Sequence, residues 1–216
     1  MNTPSELIRG KENALTMLPW LAVASFVVGL LLANIGLPEY SHLMHPVGLR
    51  GATGLPYAMA FNLLLFVVPG VLLAVAGQGL RRGLPDAGWL ARIGIVLVQL
   101  SAFAFAMQGV MSLDPADMDA TMSRLHALAW MLWWIAFVPG ALLLALGARR
   151  GATFALVSLA AAVLVPIIAV FAPVELWVGV AQRLAYALWF GWWVFAASRL
   201  SRVSPSVQGS SPTTGR

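Results

Sequence analysis

The sequence predicts an all-α integral membrane protein with six transmembrane helices, arranged as three parallel two-helix hairpins with both termini in the cytoplasm. Of its 216 residues, 60% are hydrophobic and only 10% are charged, whereas a soluble domain carries about 25% charged residues. Six apolar stretches each approach the roughly 20 residues that a spanning helix needs. A sequence unit also recurs, which is typical of a fold built from similar hairpins.

Six apolar stretches define the predicted transmembrane domain, residues 15–200. In chain order, the predicted spans are 16–37, 57–80, 89–112, 125–147, 153–172 and 180–200. They lack the polar and apolar alternation of a transmembrane strand, so we expect helices, which satisfy their own backbone in lipid. Residues 1–14 form a predicted cytoplasmic segment. Residues 201–216, rich in Ser, Pro, Thr and Gly, form a predicted disordered cytoplasmic tail.

The repeated unit is about 70 residues long and suggests an architecture. Two motifs of the first copy return in the second: Val68-Pro69-Gly70 as Val138-Pro139-Gly140, and Arg81-Arg82-Gly83 as Arg149-Arg150-Gly151. A shorter echo follows around Arg183. Each unit crosses, loops and returns, so the units are parallel repeats. We interpret the recurring Pro-Gly pairs as packing positions, with a hinge as the alternative.

The basic residues predict the orientation. The termini and the second and fourth connections carry ten Lys and Arg against three Asp and Glu, while the remaining connections carry three Arg against five acids. The positive-inside rule then places both termini in the cytoplasm. The net charge of +5 is thus a topology signal, and nucleic acid is not an expected partner. The chain has no cysteine, which excludes disulfides and thiolate metal sites.

Two sets of tryptophans share a helical spacing that puts each set on one face. They are Trp130, Trp133 and Trp134 in span four, and Trp189, Trp192 and Trp193 in span six. For the first set, an interfacial belt and an aromatic wall against a greasy ligand both stay open. His126 lies one turn before Trp130 and favours the wall. For Trp192 and Trp193, near the cytoplasmic end, we expect a belt.

All three histidines lie on the predicted outer face. If residues 42–45 are helical, His42 and His45 share one face, and His126 at the start of span four adds a third imidazole. Three histidines and a water form a catalytic zinc arrangement, in which Asp114 or Glu39 would orient an imidazole or act as base. Loop histidines without a metal are the alternative.

Each hairpin also contributes one arginine to the outer face. Arg124 and Arg183 occupy matching positions at helix N-termini, which favour anions. With Arg50 they predict an anion clamp for a phospholipid or isoprenoid phosphate. Snorkelling toward lipid headgroups is the alternative.

Other polar residues have structural alternatives. Asp114 opens an Asp-Pro-Ala-Asp run that is typical of a helix start, so Asp114 and Asp117 could simply begin a short interfacial helix. Asn62 is expected to face the bundle interior, where an interhelical hydrogen bond is the default, and it is also a candidate ligand residue of the outer site. No acid lies in the middle of a span, which disfavours a proton- or sodium-coupled pump.

The first outer loop resembles a known bacterial membrane family. The run Ser41-His42-Leu43-Met44-His45-Pro46, the glycines that follow it, and Asn62 are similar to the family catalogued as domain of unknown function 998, as are the Arg-Arg turns and the Asp-Pro loop. The resemblance covers roughly residues 15–200. It implies a six-helix protein of the bacterial inner membrane with no established activity, and it implies that His45, Asp114 and His126 are polar sites of the family.

Two functional hypotheses follow. In the first, an outward-facing polar vestibule binds or processes a lipid-like or isoprenoid-like molecule, with His45, His126 and Asp114 at its centre. Arg124 and Arg183 clamp the anion, and Trp130 forms the apolar wall. In the second, the protein is a non-catalytic transport or accessory subunit. Under both hypotheses, the protein could pair with a second copy of itself or with another membrane subunit.

Overall fold

The computed structural model describes residues 4–171 and 174–200, with side chains from residue 15 onward except those of 174–176. Within these residues the chain is entirely helical, with no strand. The helices are α1 (Pro4–Leu31), α2 (Val47–Arg50), α3 (Ala58–Asn62), a π-helical segment (Leu63–Val67), α4 (Val68–Arg82), α5 (Trp89–Val110), α6 (Thr121–Gly147), α7 (Ala152–Phe171) and α8 (Val174–Leu200). The predicted tail, residues 201–216, lies outside the described residues.

Four helical stretches in the described residues are long and apolar enough to cross a membrane. They are Ala58–Arg82, Trp89–Val110, Thr121–Gly147 and Ala152–Phe171, while α1 contributes the shorter apolar stretch Leu15–Leu31. Every predicted span coincides with a helix, but the predicted end of the first is wrong. Helix α1 ends at Leu31 and is followed by a turn over residues 32–36, in which Gly36 has a φ of +73° that glycine adopts most easily.

The long helices form a closed ring. Each one packs against the next in sequence, and α8 returns to pack against α1. Close crossings with α5 depend on the glycines of the two Val-Pro-Gly motifs. A Cβ atom at Gly70 would lie 2.6 Å from the Ala106 nitrogen, and one at Gly140 would lie 3.0 Å from the Val98 nitrogen. The absence of side chains at both positions therefore lets α4 and α6 approach the backbone of α5.

The core is aromatic, and the tryptophans are central to it. Trp133, Trp189, Trp192 and Trp193 are all buried. The ring centroid of Phe105 on α5 lies 4.8 Å from that of Trp189. The expected belt is therefore wrong for Trp192 and Trp193. Spacing predicts that they share a face but cannot decide whether that face meets lipid or protein, since both are apolar.

The π-helical segment lies just before Pro69. Proline has no N–H, so it leaves a carbonyl of the preceding turn without its helical donor, and π-bulges accommodate such defects. The hydroxyl of Ser25 on α1 donates to the Leu64 carbonyl at 2.9 Å. The kink is thus tied to the neighbouring helix, which supports a packing role for the Pro-Gly pair.

Candidate functional site

The loop of residues 40–46, here called the docking loop, is bound to the N-terminal half of α8. The Gly179 N–H donates to the Leu43 carbonyl at 3.0 Å, and the Val47 N–H just after the loop donates to the Gln182 side chain at 2.6 Å. A Cβ atom at Gly179 would lie within 2.8 Å of three loop carbonyl oxygens, those of His42, Leu43 and His45. Only glycine permits this close approach.

Arg183 holds the other side of the docking loop. Its Nη1 donates to the His45 carbonyl at 3.0 Å and to the Gly179 carbonyl at 2.8 Å, and its Nη2 donates to the Tyr40 hydroxyl at 2.7 Å. Its Nε is buried and has no hydrogen-bond partner within the described residues. No described carboxylate forms an ion pair with it. The guanidinium therefore keeps an uncompensated positive charge and a spare donor.

Two ionisable groups beside Arg183 are held neutral. Burial raises the pKa of Tyr40, and the charge of Arg183 opposes this shift only in part. Burial lowers the pKa of His42, and the positive charge of Arg183 lowers it further. At neutral pH, Tyr40 therefore carries no negative charge that would offset the positive charge of Arg183.

An apolar groove runs from this polar cluster along the seam between α1 and α8. Its volume is about 540 Å³, and its wall is almost entirely apolar. Residues lining it include Phe26, Leu30, Ala187, Phe190, Gly191 and Val194, and His42 and Arg183 line the end nearest the docking loop. We call it the α1–α8 groove. Its shape and chemistry suit a hydrocarbon chain that carries an anionic head.

Arg50, predicted as part of the anion clamp, has a different environment. It is fully buried and donates to the carbonyls of Ala33 at 2.6 Å, Ile35 at 2.8 Å and Pro56 at 2.9 Å. Its guanidinium carbon also lies 3.7 Å from the centroid of the Phe61 ring. Arg50 thus satisfies carbonyls beyond the end of α1 and stacks on an aromatic face.

Arg124 also lies apart from Arg183. Its side chain is 67% exposed and forms an ion pair with the exposed Asp119 at 3.2 Å. No described contact partner is shared by Arg50, Arg124 and Arg183. Of the three arginines of the predicted clamp, only Arg183 lines the α1–α8 groove.

His126 is half-buried beside backbone carbonyls at the end of α5. Its Nδ1 lies 2.9 Å from the carbonyls of both Gln108 and Met111, so Nδ1 carries the proton. A Cβ atom at Gly48 would lie 2.8 Å from Nε2, which shows that α2 covers the other nitrogen. The Gln108 side chain in turn accepts from the Tyr186 hydroxyl at 3.1 Å.

Asp114 organises a turn. Its carboxylate accepts from the Ala116 N–H at 3.0 Å, and its own N–H donates to the Ser123 hydroxyl at 3.0 Å. The expected interfacial helix is wrong: residues 115–119 form turns, and α6 begins only at Thr121. Aspartates that bond their own backbone two residues on favour turns over helix.

The two remaining predicted ligand residues are packed into the protein. Asn62 is buried and donates to the Gly51 carbonyl at 2.9 Å and the Ser112 hydroxyl at 3.0 Å, which joins two connections. Trp130 packs partly buried against the core, and its indole N–H is buried without a partner within the described residues. Neither side chain lines the α1–α8 groove.

The three histidines are not brought together. His45 Nδ1 accepts from the Ser41 N–H at 3.0 Å, and both His42 and His45 lie against the Tyr40 ring. His126 is engaged with α5. In the part of the chain that the structure describes, no group of three or more His, Asp and Glu side chains is arranged to hold a metal ion. The zinc hypothesis therefore has no geometric support there, and no described contact joins His45, His126 and Asp114.

Sequence reasoning missed three residues that fix the docking loop and Arg183 at the end of the groove. Tyr40, Gly179 and Gln182 carry no motif. One signal was available, since Gln182-Arg183 is a polar pair inside an otherwise apolar span, where polar residues point to function.

A comparison with protein-family models, curated proteins and solved structures finds no match to this chain. The resemblance to the domain of unknown function 998 family therefore rests on the sequence motifs and stays a prediction.

Proposed function

We propose that this protein binds an amphipathic lipid or isoprenoid in the α1–α8 groove, with the hydrocarbon chain along the apolar wall and an anionic head at Arg183. The observation that carries this proposal is the position of Arg183, which lines one end of a 540 Å³ apolar groove and has no carboxylate partner among the described residues. A guanidinium binds phosphate and carboxylate strongly because several of its donors match their oxygens.

The proposed topology makes the groove accessible to lipid. We propose six spans, with α1 and α8 crossing alongside the four apolar stretches, and both termini in the cytoplasm of a bacterial inner membrane. The charge asymmetry of the connections supports this orientation. The docking loop and Arg183 then lie toward the outer leaflet, and a lipid enters sideways between α1 and α8 without passing through water.

Binding is proposed in preference to catalysis. His45, His126 and Asp114 each bond to backbone or to a neighbouring hydroxyl. A general acid or base must reach the proton that it transfers, and no described contact places these three around a common point. The second candidate function is that of a non-catalytic accessory subunit, in which the groove holds a structural lipid. It is favoured because Arg50 and His126 hydrogen-bond backbone carbonyls.

The groove is tested by filling it without disturbing the helices. Ala187 lines the groove and is exposed, and a Cβ atom at Gly191 would have nothing within 4 Å. Ala187→Leu and Gly191→Phe should therefore fold normally and occupy the space of the hydrocarbon chain. Ala160→Leu, at an exposed position of α7 outside the groove, is the matched control.

The readout is the lipid that remains bound to the purified full-length protein, measured by mass spectrometry. We expect the groove variants to lose a bound anionic lipid that the wild type and Ala160→Leu retain. Arg183→Gln should lose the preference for anionic over zwitterionic heads. An unchanged lipid complement in both Ala187→Leu and Gly191→Phe would refute the proposal.

A further inference from the structure

A second cavity lies at the opposite end of the bundle, where the α4–α5 and α6–α7 connections meet. Its volume is about 610 Å³, and it is bounded by residues 83–90 and 146–150. We call this the basic end. Gly147 sets its shape, since a Cβ atom there would lie 2.7 Å from the Ala91 nitrogen, so the end of α6 packs closely against the start of α5.

The charge around this cavity is strongly positive. The two connections and their flanking turns carry five arginines, Arg81, Arg82, Arg92, Arg149 and Arg150, against one acid, Asp86. Arg149, Arg150 and Asp86 all line the cavity, yet within the described residues no ion pair joins them. The Arg150 Nη2 donates to the Gly83 carbonyl, which links the two connections and holds a guanidinium at the cavity wall.

Arg149 stands in an unusual backbone conformation. Its φ is +50°, in the left-handed region where a residue ending a helix is usually glycine. Gly151, two residues later, has a φ of +88°, so the turn contains glycine but not at this position. A side chain kept at a strained position calls for a role, and here it places an exposed, unpaired guanidinium beside the cavity.

We propose that the cavity at the basic end binds a phosphate-bearing anion, with Arg149 and Arg150 as its ligands. Basic pockets between the ends of membrane helices suit anionic lipid headgroups, and soluble phosphates share the same chemistry. The cavity is distinct from the α1–α8 groove in residues and in position, so this proposal does not rest on the proposed function.

The experiment titrates phosphatidylglycerol into purified full-length protein and counts bound lipids by native mass spectrometry. It uses the Ala187→Leu background, so that the α1–α8 groove contributes no binding. Arg149→Gly removes the guanidinium at a backbone position that glycine prefers, so the fold should be retained. We expect phosphatidylglycerol affinity to fall about fivefold in Arg149→Gly and to recover in Arg149→Lys.

Arg124→Gln is the matched control, since it removes one positive charge at the other end of the bundle. Its affinity for phosphatidylglycerol should equal that of the parent. Competition by pyrophosphate would support a site that accepts soluble phosphates as well, and its absence would support a lipid headgroup site. Equal affinity in Arg149→Gly and the parent, or an equal loss in Arg124→Gln, would overturn the proposal.

Discussion

Replacement of Arg50 by methionine should be among the most damaging single changes in this chain. The side chain is fully buried, and three of its nitrogens donate to carbonyls at 2.6, 2.9 and 2.8 Å. Methionine fills similar space but has no donor, so it leaves the three carbonyls unsatisfied. At about 1.5 kcal/mol for each bond from a charged donor, the low end of the usual range, the free energy of unfolding should fall by about 4–5 kcal/mol.

The assay is thermal unfolding of the purified protein in detergent, followed by tryptophan fluorescence, because the core holds four buried tryptophans. For a chain of this size, each kcal/mol shifts Tm by about 2–4 °C, so Arg50→Met should melt about 8–20 °C below the wild type. Arg50→Lys keeps the charge but lacks the planar fork, so its Tm should lie between the two.

Arg124→Met is the control for Arg50. It also removes an arginine, but its ion pair is exposed, and such pairs contribute only about 0–1 kcal/mol. If Arg50→Met melted within 2–3 °C of Arg124→Met, the carbonyls would have to be satisfied by water, and the structural role assigned to Arg50 would be wrong.

Three further predictions concern the docking loop and the end of α5. Gly179→Ala should displace the loop, lowering both Tm and lipid retention, whereas Gly191→Ala, with no atom within 4 Å of its added Cβ, should leave Tm unchanged. His126→Ala should lose about 1–3 kcal/mol of unfolding free energy, measured by chemical denaturation, because two carbonyls lose their shared donor; a loss equal to that of an exposed substitution would contradict the assignment. Because burial and Arg183 lower the pKa of His42 below its ordinary 6.5, the unfolded chain binds a proton more readily, so stability should fall as pH drops below about 6.5. His42→Gln should reduce that fall between pH 7 and 5, and identical pH profiles would exclude the effect.

The helices were largely predictable from the sequence because hydropathy reports directly where a chain can enter lipid. Each of the six predicted apolar stretches overlaps a long helix, although the first extends beyond the end of α1. The start of α1 at Pro4 was not predicted, since apolar composition indicates where a helix is buried in lipid and carries no information on how far it extends beyond. Composition also could not decide whether the tryptophans face lipid or the protein core, because both environments favour the same apolar side chains.

The site was predictable only in part. Arg183 was predicted as an anion ligand at the outer face, and both its role and its side of the membrane stay predictions. The contact partners of Arg183 could not be predicted from the sequence. Tyr40 and His45 lie 143 and 138 positions away, so these contacts leave no local sequence pattern. Arg50 shows the converse limit, since a sequence displays a charge but not the carbonyls that will surround it.

The pairing of α1 with α8 has a consequence for how the protein is made. The docking loop and the first wall of the groove emerge from the ribosome early, but their partners, Gly179, Gln182 and Arg183, are among the last helical residues to be synthesised. Since chains fold from the N-terminus as they grow, the groove-lining side of α1 stays uncovered until α8 has been made. The contact between α1 and α8 therefore forms only after the other long helices have been made, and a chain truncated before α8 would lack the groove.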